Sequence, residues 1–142
     1  MSKRMPVIIQ SIVYRMAEQG VEVLLLKRTE ERGGFWNVVN GTLEYDESAI
    51  NCRERELCEE TGIVTAIRWS DELHRFSFSY KGDTFVTVVF AAQVAEDQQV
   101  VINDEHTEFR WVGMKEAIEM LKFDDDKNGL RKLQENLGAA AD

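Results

Sequence analysis

Proline occurs once, at Pro6, and cysteine twice, at Cys52 and Cys58, in a chain of 142 residues. So little proline excludes a proline-rich or collagen-like chain, and two cysteines are too few for a disulfide-stapled secreted scaffold. The two thiols lie six residues apart, out of phase for one helical face, which marks them as free rather than as a local disulfide or redox pair. No apolar run reaches transmembrane length. The opening MSKRMPVIIQSIVYRM also lacks an apolar secretory segment followed by a small-residue cleavage signal. The expected location is therefore the cytoplasm, with no membrane partner. Positive charge is scarce as well: 17 Lys and Arg stand against 26 Asp and Glu, for a formal net charge of -9. Without a basic stripe, bulk nucleic acid is not expected as a partner. A small polyanion stays admissible, because bound metal ions can reverse the field inside a pocket.

What is present suits one domain over residues 1–142, with 44% hydrophobic residues and a tail expected to fray from 138. Pro6 to Met16 and Val21 to Arg28 are apolar extended segments separated by the turn Ala17-Glu18-Gln19-Gly20. Ile63-Val64 enters another extended piece. Glu72 to Tyr80 alternates with period two, Lys81-Gly82-Asp83 turns the chain, and Thr84 to Val94 is a long apolar strand. A short strand at Val100-Val101-Ile102 and another at Glu108 to Val112 follow, then helices over Met114 to Leu121 and Asn128 to Leu137. The apolar faces of these helices can cover the chain's own sheet or a second copy, leaving monomer and homodimer both open.

The most informative stretch is Gly41 to Ile63, GTLEYDESAINCRERELCEETGI. Glu56, Glu59 and Glu60 recur at spacings of three and four, which on a helix gathers their carboxylates on one face within about 6 Å of axial rise. Such a face repels itself unless positive charge compensates. Arg55, four residues before Glu59, supplies part of that charge, and hard divalent cations coordinated by oxygen supply the rest, so the arrangement predicts a metal site. Asp46 is the expected N-cap, and Gly62 suits the left-handed position that ends a helix.

Gly41, Glu47, Arg55, Glu56, Leu57, Glu59, Glu60, Gly62 and Ile63 fill the signature of the Nudix hydrolases without gap or substitution. The resemblance implies an α/β fold, a Nudix α/β/α sandwich with a mixed β-sheet, and cleavage of a phosphoanhydride with Mg²⁺ or Mn²⁺. It implies Glu56, Glu59 and Glu60 as metal ligands, and Asn40 as a backbone-carbonyl ligand. Arg55 would orient the carboxylates and Glu47 would organise the loop before the helix. In the downstream Glu105-His106 to Trp111 segment, Glu105 matches a further metal ligand or water-activating base, with Glu56 the other candidate base. Val39-Asn40 departs from the common proline-glycine pair, and Tyr45-Asp46 from the common acidic-glycine pair. The first departure is similar to the loop of dihydroneopterin triphosphate pyrophosphohydrolases. The implied substrate is a small nucleotide-like triphosphate, dihydroneopterin triphosphate first, with modified nucleoside triphosphates and dinucleoside polyphosphates as alternatives. A non-catalytic nucleotide-binding Nudix domain is the alternative of a different class.

Other residues carry two readings each. Arg28, at a strand end, either meets phosphate or makes a salt bridge. Phe35 and Trp36 either anchor their loop in the core or stack a planar base or pterin. His106 either donates to phosphate, orients Glu105 or makes a structural hydrogen bond. Asp124, Asp126, Asn128, Gly129 and Glu135 match minimal EF-hand spacing, but Arg131 takes the loop's apolar position and no paired hand is evident, so a polar helix connection is expected.

Overall fold

Strand β1, Arg4–Ala17, is 14 residues long and carries pairing on both sides. A computed structural model describes the backbone of residues 4–141 and the side chains of residues 5–138. On one flank β1 runs parallel to β7, Asp83–Val94, with Val7 opposite Val86 through Arg15 opposite Val94. The other flank is shared. Its first part pairs antiparallel with β4, Val39–Glu44, and its last residues with β2, Gly20–Arg28. Strand β2 in turn pairs with β3, Trp36–Asn37, and with β8, His106–Gly113, while β7 carries β5, Arg68–Trp69, and β6, His74–Tyr80. Among the described residues the result is a mixed sheet of eight strands.

Both faces of this sheet are covered, which is why its central strands are apolar almost without break. Val13, Leu24, Leu26 and Val39 face helix α1, Ala49–Thr61, where Leu57 and Ile63 close the layer. Ile9, Val88 and Phe90 continue that layer around Cys52. The alternate residues Ile12, Tyr14, Val23, Leu25, Val89 and Ala91 face helices α2, Met114–Met120, and α3, Asp124–Ala141, which contribute Ala117, Leu130 and Leu133. A period of two along each strand thus separates two cores, and the layers form the expected α/β/α sandwich. Among the described residues, no helix is long and apolar enough to cross a membrane.

Several local expectations are corrected. Ser48, not Asp46, caps α1, accepting a hydrogen bond from the Asn51 N–H at 3.0 Å. Neither Ile63-Val64 nor Val100-Val101-Ile102 forms a strand. Ile63 is wholly buried under α1, and the Val101 N–H goes to the Thr61 carbonyl, closing the helix end instead of a ladder. Helix α3 starts at Asp124, four residues before the expected Asn128, because three aspartates in its first turn suit the positive end of the helix dipole. Its span runs to Ala141. Asp142 lies outside the described residues.

That continuous helix removes the EF-hand reading. An EF-hand needs a looped backbone to turn its ligands inward. Here Asp126 bonds Gln10, Asn128 accepts from Arg131 and Glu135 lies beside Lys132, all on one helix. Both cysteines are free, Cys52 buried and Cys58 exposed.

Gly129 sits within α3, and a Cβ there meets Val89, Gln10 and Ile12 at 3.5 to 3.8 Å, ordinary packing distances. Gly129→Ala is therefore expected to stabilise the fold by about 0.5–1 kcal/mol through lower chain entropy in the unfolded state and better helix propensity. Calorimetry should show a melting temperature higher by about 2–4 °C; a fall would mean the sheet cannot take the methyl group.

Candidate active site

Arg55 projects from the middle of α1 into a ring of carboxylates. Its Nε lies 2.6 Å from Glu47 Oε2 and its Nη2 2.8 Å from Glu47 Oε1, a two-point contact. Its Nη1 reaches Glu56 at 2.7 Å and Glu59 at 3.3 Å. The Arg55 hydrogen bond holds the Glu47 carboxyl down to about 2, and Glu47 in return raises the guanidinium further. Glu47 also accepts the Glu44 N–H at 3.2 Å. One residue therefore ties the loop before α1 to the arginine within it. Gly62 ends the helix at φ 74°, donating its N–H to the Cys58 carbonyl.

Glu56 and Glu60 lie on the buried side of α1, at 7% and 2% exposure. Burial pushes both carboxyls above their usual range, and the proximity of Glu56 and Glu105 adds to the shift at Glu60. His106 stands behind them. Its Nδ1 donates to Asn103 Oδ1 at 3.1 Å and its Nε2 lies 3.7 Å from Glu60 Oε1. Burial, then the charges of Arg28 and Arg32, lower His106 to about 4, so it is a neutral group beside Glu60.

Among the described residues, no three His, Cys, Asp or Glu side chains are gathered closely enough to hold a metal ion. Glu56 and Glu59 are instead drawn to Arg55, the nearest positive charge. The residues nonetheless fit a hard dication. Glu60 Oε2 is buried and, among the described residues, has no hydrogen-bond partner. Glu56, Glu59 and Glu105 offer only oxygen beside it. Gly41 completes the fit, because a Cβ at that position would overlap the Glu56 side chain and displace its carboxyl.

A cavity of about 810 Å³ opens from this acidic face. Glu56, Glu59 and Glu105 line one end, Arg28, Arg32 and Phe123 one wall, and Phe76, Phe78 and Tyr80 of β6 the part away from α1. Asn40 and Gly41 are in the lining, and Asn40 Oδ1 accepts from Gln10 Nε2 at 3.2 Å. The structure thus brings Glu56, Glu59, Glu105, Arg28, Asn40 and Gly41 to one space. Glu47 and Gly62 shape α1 from outside that lining, and Glu60 and His106 lie behind it. Phe35 is set against Phe123 edge to face at 5.4 Å, with Arg28 5.2 Å from its ring centroid. Trp36 packs on the core under α2 and α3 with Arg110 over its ring. Neither aromatic lines the cavity; Phe35 braces the lining Phe123.

Gln10, Arg32, Asp126 and the β6 aromatics were not signalled by the signature. Gln10 had a cue: it is a lone amide between Val7-Ile8-Ile9 and Ile12-Val13 on a strand buried on both faces. Asp126 is 8% exposed, its carboxyl raised by burial and opposed by the Gln10 hydrogen bond at 2.9 Å. Its acidic neighbours in sequence hid it within the apparent calcium pattern.

Residues 6–136 match the NUDIX domain. The chain is 32% identical over 128 residues to the dihydroneopterin triphosphate diphosphatase of Haemophilus influenzae, covering 81% of this chain and 80% of that protein. It is 38% identical over 115 residues to an octanoyltransferase of Myxococcus xanthus, covering 78% of this chain but 30% of that protein, so it spans less than a third of that relative. Among solved structures, a C. elegans Ap4A hydrolase in a binary complex superposes with a TM-score of 0.83 at 21% identity, over 94% of this chain and 98% of that one, a likeness of fold.

Gly41→Ala should displace the Glu56 carboxyl while leaving the fold intact. Mg²⁺ affinity measured by calorimetry is expected to fall by about 10–100-fold, the range for disturbing groups that orient metal ligands. Unchanged affinity would show that Glu56 finds its place without the close approach.

Proposed function

The chain belongs to the Nudix family, and we propose that it hydrolyses a nucleotide-like triphosphate to a monophosphate and pyrophosphate, with dihydroneopterin triphosphate as substrate. Hydrolysis of a phosphoanhydride is the activity carried by the family and by the diphosphatase relative. The choice of the pterin rests on that 32% identity and on the Val39-Asn40 loop. The observation that carries the reading is the single cavity in which carboxylates, two guanidinium groups and aromatic rings meet. Those three chemistries suit a metal-bound phosphoanhydride, a polyphosphate and a planar heterocycle respectively.

Glu56, Glu59 and Glu60, with the Asn40 carbonyl, would hold Mg²⁺ or Mn²⁺. When bound, such ions screen the phosphate charges and lower the pKa of an attacking water. The chain's own residues do the rest. Arg55 fixes Glu56 and Glu59 at the helix surface and is itself fixed by Glu47. Arg28 and Arg32 bind the phosphate oxygens on the cavity wall, with Arg28 Nε already oriented by the Arg32 carbonyl at 2.9 Å. Glu105, beside the carboxylates of α1, takes a proton from the water as the water's oxygen bonds to phosphorus, and Glu56 is the second candidate for that role. The bridging P–O bond breaks, pyrophosphate leaves, and no covalent enzyme intermediate forms.

In Mg²⁺, dihydroneopterin triphosphate should be cleaved faster than modified nucleoside triphosphates or a dinucleoside polyphosphate, with pyrophosphate rather than orthophosphate released. Absence of pterin cleavage would reject this substrate. Glu105→Gln is expected to lower kcat by about 10²–10⁴-fold, the usual contribution of a general base, while Glu56→Gln weakens both turnover and Mg²⁺ binding. Normal turnover in both variants would remove the assignment of these roles.

A further inference from the structure

Glu105 and His106 reach the site through two irregularities at the start of β8. Along this strand Phe109 and Trp111 lie opposite Leu26 and Leu24, on the face of the sheet toward α1, whereas Arg110 and Val112 lie opposite Leu25 and Val23 on the other face. Strict alternation would send His106 to that second face. The register shifts between Lys27 and Arg28, so that Arg28 pairs with His106 and Thr107 is the extra residue. This bulge turns His106 over to the α1 face, where its Nε2 lies 3.7 Å from Glu60.

The second irregularity is the turn before the strand. The His106 N–H closes it on the Asn103 carbonyl at 3.3 Å, and neither Asp104 nor Glu105 has a positive φ, which makes it a type I turn with Asn103 at its first position. The Asn103 side chain folds back over it. Its Oδ1 accepts the Glu105 N–H at 3.2 Å and meets His106 Nδ1 at 3.1 Å. The backbone donor fixes the orientation of the amide, because of its two polar atoms only the oxygen accepts. That same oxygen cannot donate, so the His106 ring carries a proton on Nδ1. On the other side, the Glu105 carbonyl accepts the Thr29 N–H at 3.2 Å. Both backbone groups of Glu105 are thereby committed, and only its side-chain torsions are left to aim the carboxylate. The turn itself needs no more than the Glu105 contact. The second bond, to a ring 9% exposed that stands behind Glu60, ties the turn to the carboxylates of α1.

We infer that Asn103 is a positioning residue for hydrolysis: through one oxygen, shared between the Glu105 N–H and the His106 ring, it holds Glu105 beside the carboxylates of α1. This rests on the reading of Glu105 as the group that takes the proton from water. Asn103 itself is absent from the cavity lining, so its effect on the reaction passes through Glu105. A base displaced from its water slows the step at phosphorus, while the arginines of the cavity wall still bind the phosphates. Loss of the Asn103 oxygen therefore falls on kcat and spares KM.

NMR of the histidine rings in the whole protein, in EDTA, tests the contact apart from turnover. The His106 Nδ1 proton should give a slowly exchanging signal in the unaltered protein and in Asn103→Asp, which keeps an acceptor oxygen, and should be lost to exchange with water in Asn103→Ala. No such signal in the unaltered protein, or one unchanged in Asn103→Ala, would overturn the inference. In Mg²⁺, with dihydroneopterin triphosphate or the triphosphate cleaved in its place, Asn103→Ala is expected to lower kcat by about 10–100-fold and leave KM within about twofold, and Asn103→Asp to recover most of the loss. Made in the Glu105→Gln protein, Asn103→Ala should cost less than about twofold, because the group it positions is already disabled. Melting temperatures establish that each variant is folded. An equal loss in both backgrounds would show Asn103 acting without Glu105 and sink the inference. The reading of Glu105 fails separately, on normal turnover by Glu105→Gln alone, and that of hydrolysis on an unaltered protein that cleaves no triphosphate; either result removes the role of Asn103 with it.

Discussion

One guanidinium amid four carboxylates is the constraint on which the site depends. Glu44, Glu47, Glu56 and Glu59 all lie within 4.0 Å of Arg55, and without that charge the middle of α1 would present an acidic face with nothing to offset it. The planar fork binds Glu47 at two points and still has a donor directed at Glu56, which a lysine ammonium could not do with the same geometry. Because Glu47 precedes the helix and Glu44 ends β4, this contact also sets the helix against the sheet edge. Gly41 then allows strand and helix to come together where any side chain would intrude on Glu56. Electrostatics and close packing thus select the same docking of α1.

Much of this was legible in the sequence because the determinants are local. Spacing of the glutamates, the position of Arg55 and the glycines at both ends describe α1 and its acidic face within a single stretch, apolar runs describe β1, β2 and β7, and period-two alternation describes β6. Local competition was less legible. Asp46 and Ser48 are both good caps, and the choice falls to Ser48 because its hydroxyl meets the Asn51 N–H. Val100-Val101-Ile102 has strand composition, yet its backbone closes α1 and its flanking side chains pack on the α1-side core. The calcium-like pattern failed for the opposite reason: spacing in sequence was satisfied, but a continuous helix distributes those side chains around its axis.

The cavity itself was legible only in part. Glu105 and Arg28 could be placed near it by family resemblance and by chemistry, whereas Gln10 and Asp126 are 116 positions apart and meet only once β1, β4 and β7 are in register and α3 has docked. Phe35 and Trp36 show the limit of residue type as a guide. Each is an aromatic beside a glycine-rich loop, but Phe35 braces Phe123 in the cavity wall and Trp36 fills the core.

The turn between β6 and β7 is only Lys81-Gly82, both with positive φ, and it projects past Tyr80 at the cavity rim. The aromatic wall is carried by this free-ended hairpin, while the acidic machinery belongs to a helix clamped on another edge of the sheet. Lengthening the hairpin by a pair of residues would extend the wall without moving β1, β4 or α1. Reach over the bound ring and the chemistry at phosphorus are thus separable traits, and a lineage built on this frame can change its diet by adjusting a loop while leaving its catalytic helix untouched.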